Sequence, residues 1–299
     1  MQPHTQFYFI PNKNLAILWS PKCACGAIGN WAKFAISEFD DFDSDPDPRF
    51  GADARFNLNR KGYNFNLYNL KALIKANHVK AIAVSTRDPI SRMRSAYINK
   101  FLIHKRNVLE HFGQLELFSK DFIRRTRRTP LATTSSPIRM SKKDNTFTIS
   151  LASFIEAASI EKEIRLIDAH FKPQLLEKAH LETITNIDAR IPILPLRTER
   201  LKDDVTTLNE LTGVSYIPAK DNASDLPAGW RVSDEEDMVT MSNKELIDQQ
   251  AIPSLQATKA WLKANSTIGQ KFTDRFSWDY KLIDFLESGA QRTTQEARF

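Results

Sequence analysis

The chain has 299 residues, enough to bury a full core without disulfides or a metal. Hydrophobic residues make up 41% and charged residues 26%, which excludes a disordered tail, a collagen-like chain and a disulfide scaffold. Only 9 glycines argue against a glycine-rich dinucleotide-binding domain. The excess of 42 Lys and Arg over 36 Asp and Glu, a net charge of +6, points to an anionic partner: nucleic acid, a nucleotide, an acidic glycan or a membrane surface.

The two cysteines, Cys23 and Cys25, are one residue apart. They cannot form a long-range bridge, and two thiols alone make no zinc site. Their usage suits a reducing cytoplasm. The apolar run at residues 15–19 is far short of the roughly 20 residues of a spanning helix. The N-terminus has no basic region followed by a signal-peptide core. The expectation is a soluble, cytoplasmic protein.

In chain order, residues 14–20 (N-L-A-I-L-W-S) predict a short buried strand, 21–29 a loop, and 30–39 a helix. Residues 40–48 are acidic, contain proline and lack periodicity, so they read as a surface loop. Residues 67–76 predict a helix that Asn66 can cap. A second strand is expected at 80–86 (K-A-I-A-V-S-T). Arg87-Asp88-Pro89 ends it, and Pro89 opens a helix at a favoured position. Residues 116–143 are strongly basic and read as a helix end followed by a loop. Residues 150–158 predict a helix with Ser150 as its cap. A strand is expected at 193–196, with helices at 198–211, 244–251 and 255–265. Strands alternating with helices define an α/β fold with a central, mainly parallel sheet. No composition shift marks a boundary, so one domain over 1–299 is expected. Its donor-side core would span about 14–201, with a helical part at 202–299. Ligands of such sheets bind at the carboxyl ends of the strands, and here Lys22 and Arg87 follow two of those ends.

Three segments carry candidate chemistry. The first is W-S-P-K-C-A-C-G-A-I-G-N-W at 19–31. A strand-loop-helix presents free backbone N–H groups to an anion, and Lys22 adds a full charge. The order is not that of a Walker A loop, because the lysine precedes the glycine. A tight turn with a solvated lysine is the alternative. The second is V-S-T-R-D-P-I-S-R-M-R-S-A-Y-I-N-K-F at 84–101. Arg87 can fork onto a phosphate and Ser95 can add a hydrogen bond. Alternatively, Asp88 caps the helix and makes a salt bridge. The third is D-A-H-F-K-P-Q at 168–174. His170 is a potential general base, though a lone histidine is more often structural.

Taken together and in this order, the segments resemble the carbohydrate sulfotransferases of the membrane-associated sulfotransferase family. Pro21-Lys22-Cys23-Ala24-Cys25 matches the family's P-K-x-A-C. Arg87, Asp88, Pro89, Arg92, Ser95, Ala96 and Tyr97 match R-D-P-x-x-R-x-x-S-A-Y. His170, Phe171, Pro173 and Gln174 match H-[FW]-x-P-Q. Weaker similarity lies at 150–156, 196–201 and Trp278-Asp279-Tyr280. The family places hydroxyl residues after the cysteine, where this chain has Gly26-Ala27.

The resemblance implies a P-loop-like sulfotransferase fold. It also implies transfer of a sulfuryl group from 3′-phosphoadenosine-5′-phosphosulfate (PAPS) to a hydroxyl of a carbohydrate acceptor, with no metal and no nucleic-acid partner. Lys22, Cys25, Gly26, Ala27, Arg87 and Ser95 would hold the donor; Lys22 and His170 would be catalytic, His170 as base for the acceptor hydroxyl, or else His170 would bind the acceptor. Eukaryotic relatives carry a membrane anchor. A soluble, bacterial-type enzyme is the expectation here, with peripheral membrane contact still compatible. Two other readings share part of the logic. A P-loop-like small-molecule kinase would hydrolyse ATP with magnesium. A non-catalytic polyanion binder would show salt-dependent affinity without donor binding.

Overall fold

The computed structural model describes residues 6–37, 62–103, 139–141, 146–160, 172–188, 190–217 and 226–293. The acidic segment 40–48, most of the basic segment 116–143, and His170 with Phe171 lie outside the described residues. The chain packs as two compact units. One comprises Met1–Asp88, Gln174–Ala223 and Trp278–Phe299, and the other Pro89–Pro173 and Ser224–Ser277.

The first unit is built on a five-stranded sheet. Its strands are β1 (Gln6–Ile10), β2 (Leu15–Trp19), β3 (Asn64–Asn66), β4 (Ala81–Thr86) and β7 (Ile193–Arg197), in the spatial order β3-β1-β2-β4-β7. β2, β4 and β7 pair in parallel, whereas β1 pairs antiparallel with both β2 and β3. Four strands therefore run one way and β1 runs against them. The sheet is α/β in character, as the alternation of strands and helices predicts.

Both faces are covered, so β2 is a continuous apolar run rather than an alternating one. Tyr8, Ile17, Ala83, Leu194 and Leu196 face a core built with α1 (Cys25–Ser37) and α6 (Leu201–Thr212). There the indole of Trp31 donates to Asn209 Oδ1 at 2.8 Å. Gly213 ends α6 in the left-handed conformation, its N–H bonded to Asn209 O at 2.8 Å. Phe7, Leu18, Ile82 and Val84 face the other core, with α2 (Leu67–Lys75), α5 (Lys178–Thr185) and α11 (Ser277–Thr293). Asn66 caps α2 as expected, its Oδ1 accepting from Asn69 N at 3.3 Å.

The second unit begins with α3 (Pro89–Tyr97), which runs into a π-helical turn at Ile98–Ile103. It also holds the hairpin strands β5 (Arg139–Ser141) and β6 (Thr146–Thr148), and α4 (Leu151–Ile160). Next come β8 (Arg231–Ser233), α7 (Asp237–Thr240), α8 (Asn243–Asp248), β9 (Ala251–Pro253), α9 (Leu255–Ala264) and α10 (Ser266–Arg275). Ser150 caps α4 by accepting from Ser153 N at 3.0 Å. Tyr97 is buried and donates to Ile149 O at 3.0 Å. Burial first, and then Glu245, raise its pKa far above the ordinary tyrosine range. Arg92 is 2% exposed, donates to Lys172 O at 2.8 Å, and lies over the Phe276 ring. A buried guanidinium needs such partners, and its flat face accepts an aromatic one.

Three expectations need correction. The helix expected at 30–39 starts at Cys25, because 25–29 join the helical hydrogen-bond ladder from Ile28 N to Ala24 O onward. Glycines in that stretch read as loop, but Ala27, Ile28 and Gly29 are buried by packing. The helix expected at 198–211 opens with a 3₁₀ turn, Thr198–Arg200. The helix expected at 244–251 ends at Asp248, and Ala251 belongs to β9, which pairs with β8. The expected elements include neither β1 nor β3. Among the described residues, no helix is long and apolar enough to cross a membrane.

His180, on α5, is 1% exposed. Burial lowers its pKa below 6.5, with Glu177 pulling the other way. The unfolded histidine takes a proton near pH 6.5, while the folded one resists it. The contribution is therefore complete above that value and is lost as pH falls below it. Urea titrations at about pH 7 and about pH 5 are expected to show a smaller difference in His180→Gln than in the wild type.

Candidate functional site

Parallel pairing of β2, β4 and β7 brings three strand carboxyl ends to one edge of the sheet. Each end continues into a polar segment: Ser20 onward after β2, Arg87 after β4, and Thr198 after β7.

The loop after β2 closes on itself. Cys23 N donates to Ser20 O at 3.2 Å, and Ser20 Oγ donates to Cys23 Sγ at 3.3 Å. Lys22 and Ala24 both hold left-handed backbone conformations, with φ of 66° and 55°. For residues with a Cβ this costs on the order of 1–2 kcal/mol each. Cys23, between them, is not left-handed. Two left-handed residues in so short a loop turn the chain sharply just ahead of α1. Helix α1 then starts at Cys25, with no acidic residue in its first turn. Its 13 residues give it a full N-terminal dipole charge. Lys22, Cys25 and Gly26 are half-buried, while Ala27 is buried and can offer a ligand only its backbone.

Arg87 reaches this loop from β4. Its Nη1 donates to Lys22 O at 3.2 Å. The structure thus brings together Lys22, Cys25, Gly26, Ala27 and Arg87 within the first unit. Ser95 is half-buried on α3 of the second unit. His170 lies outside the described residues.

The segment just after His170 is described. Gln174 is buried, and its Nε2 donates to Ser85 O at 3.0 Å. The backbone N–H groups of Gln174 and Leu175 both donate to the Asp279 carboxylate, each at 3.0 Å. Asp279 is 1% exposed and was not among the candidate site residues. Its signal in the sequence was the Trp278-Asp279-Tyr280 similarity, which carries no chemistry until the fold places it under Gln174.

On the far side of β4, Asp204 grips Arg197. Its Oδ2 accepts from Arg197 N at 2.7 Å and Nε at 3.0 Å, and its Oδ1 accepts from Nη2 at 2.6 Å. This bonding holds the Arg197 pKa above its ordinary value despite partial burial.

The edge suits a polyanionic nucleotide. It offers a lysine, an arginine and a helix N-terminus. In addition, Ser85 Oγ and Trp19 Nε1 are buried and find no partner among the described residues. Strand alternation puts both on the α1 face, two residues beyond the paired Ile17 and Ala83.

An α/β sheet with a cationic strand-loop-helix at its carboxyl edge is the architecture of enzymes that handle phosphorylated nucleotides. The chain belongs to the Sulfotransferase family, whose model matches residues 5–284. Members are PAPS-dependent transferases that carry a sulfuryl group to an acceptor hydroxyl, so this protein is an enzyme of that class. Searches of curated proteins and of solved structures found no match.

Replacing Asp279 with alanine leaves two buried N–H groups without their acceptor. Each such group costs about 1–3 kcal/mol. A loss of roughly 2–6 kcal/mol is expected in denaturant titrations, with a smaller loss for Asp279→Asn, which keeps one acceptor oxygen.

Proposed function

We propose that this enzyme transfers the sulfuryl group of PAPS to a hydroxyl of a carbohydrate. The observation that carries the donor half of this reading is the Lys22 loop. Lys22 and Ala24 hold left-handed backbone, the Lys22 carbonyl is held by Arg87, and α1 follows directly. Where the family has hydroxyl side chains, Gly26-Ala27 has none, so the 5′-phosphosulfate rests on backbone N–H groups and Lys22. The acceptor half is supported by the resemblance to carbohydrate sulfotransferases and by the basic segment at 116–143, suited to an anionic glycan.

When bound, PAPS supplies the sulfuryl group: a bond forms from sulfur to the acceptor oxygen and the bond to the 5′-phosphate oxygen breaks. The chain's residues position and neutralise charge, as in phosphoryl transfer through a loose transition state. Lys22 neutralises the negative charge gathering on the departing phosphate. Arg87 forks onto the 3′-phosphate, and Ser95 is assigned to the same phosphate from its place in the motif. His170 takes the proton of the acceptor hydroxyl.

Calorimetric titration with 3′-phosphoadenosine-5′-phosphate, against adenosine 5′-phosphate and ATP, tests the donor site. Micromolar binding that requires the 3′-phosphate is expected; equal binding of all three would end the reading. Lys22→Ala is expected to lower turnover by about 10²–10³ with an unchanged melting curve. Arg87→Ala is expected to raise the donor KM far more than it changes kcat.

A further inference from the structure

The turn that carries Arg87 is held from outside. β4 and β7 pair in parallel through Thr86 and Arg197, the last residues of the ladder. Beyond that point, the two residues after Arg197 take over. Thr198 Oγ1 donates to Thr86 O at 3.0 Å. Glu199 Oε1 accepts from Asp88 N at 3.3 Å. The peptide groups on both sides of Arg87 are thereby bonded to side chains from the end of β7. That end is anchored in turn, because Asp204 binds both the backbone and the guanidinium of Arg197. The outcome is visible at Arg87, whose guanidinium meets the carbonyl of left-handed Lys22.

We propose that Thr198, assisted by Glu199, is a positioning residue of the donor site: it fixes the Arg87 backbone so that the guanidinium both closes the Lys22 loop and selects a 3′-phosphorylated nucleotide. The selectivity part rests on the donor reading above; the closure of the loop does not. Thr198 is half-buried, whereas Glu199 is exposed and its bond competes with water. Thr198 therefore dominates. Val and Thr have the same shape, so Thr198→Val removes the hydroxyl alone, and Thr198→Ser restores it.

The test has a ligand readout and a ligand-free readout. In calorimetry, Thr198→Val is expected to weaken 3′-phosphoadenosine-5′-phosphate about tenfold, the worth of one hydrogen bond, and to leave adenosine 5′-phosphate unchanged. Thr198→Ser should bind as the wild type does. In the Arg87→Ala background, Thr198→Val should add nothing, because the two act through one contact. Equal weakening of both nucleotides with a lowered melting temperature would mean a merely structural threonine and would overturn the proposal.

Without ligand, amide hydrogen exchange across residues 22–25 should rise in Thr198→Val and in Arg87→Ala alike. Unchanged exchange in Thr198→Val would also overturn it. A wild type that shows no 3′-phosphate preference would refute the donor reading, and exchange would then still decide whether Thr198 holds the loop.

Discussion

The parallel register of β2, β4 and β7 is the constraint on which the rest depends. Ile17 lies opposite Ala83 and Ser85 opposite Leu196, so the three strands end together. In a parallel ladder a strand cannot return to its neighbour through a tight turn. Each strand must therefore leave the sheet at the same edge, through a loop that reaches a helix or a crossover. The exits carrying Lys22 and Thr198 each hydrogen-bond to the exit of β4 between them, which carries Arg87. Slipping β4 by one residue would turn Ser85 and Arg87 to the opposite face and bury Ile82 and Val84 against the wrong core.

The Lys22 loop takes glycine-type backbone conformations without using glycine. Lys22 and Ala24 take left-handed conformations that glycine would adopt without cost. Two local bonds between Ser20 and Cys23, and one from Arg87, offset that strain. Strain of this kind persists only where surroundings over-determine the backbone, and it concentrates at functional sites.

Polar residues buried around the edge follow one rule: a buried charge is kept only with several partners. Asp279 accepts from two backbone amides, Asp204 takes three bonds from Arg197, and Arg92 has a carbonyl and an aromatic face. Such groups specify geometry more than they add stability. Asp279 sets where Gln174 enters the sheet's carboxyl edge, and Asp204 sets where β7 stops being a strand.

The sequence alone determined the strands β2, β4 and β7, because four to six apolar and β-branched residues bounded by breakers are a local signal. It determined the caps at Asn66 and Ser150 and the helix opening at Pro89 for the same reason. It also exposed Lys22 and Arg87, whose motifs are contiguous and resemble those of the family to which the chain belongs. What it could not carry was anything created by distance along the chain. β1 runs antiparallel because of pairing with β2, and Gln6–Ile10 has no local mark of direction. α1 starts five residues before its periodicity becomes legible, since burial of Ala27 and Gly29 is a tertiary fact. Asp279 meets Gln174 across 105 residues, and Thr198 meets Thr86 across 112. Those contacts exist only once the sheet has set its register, so only the tertiary structure decided which residues hold the site in place.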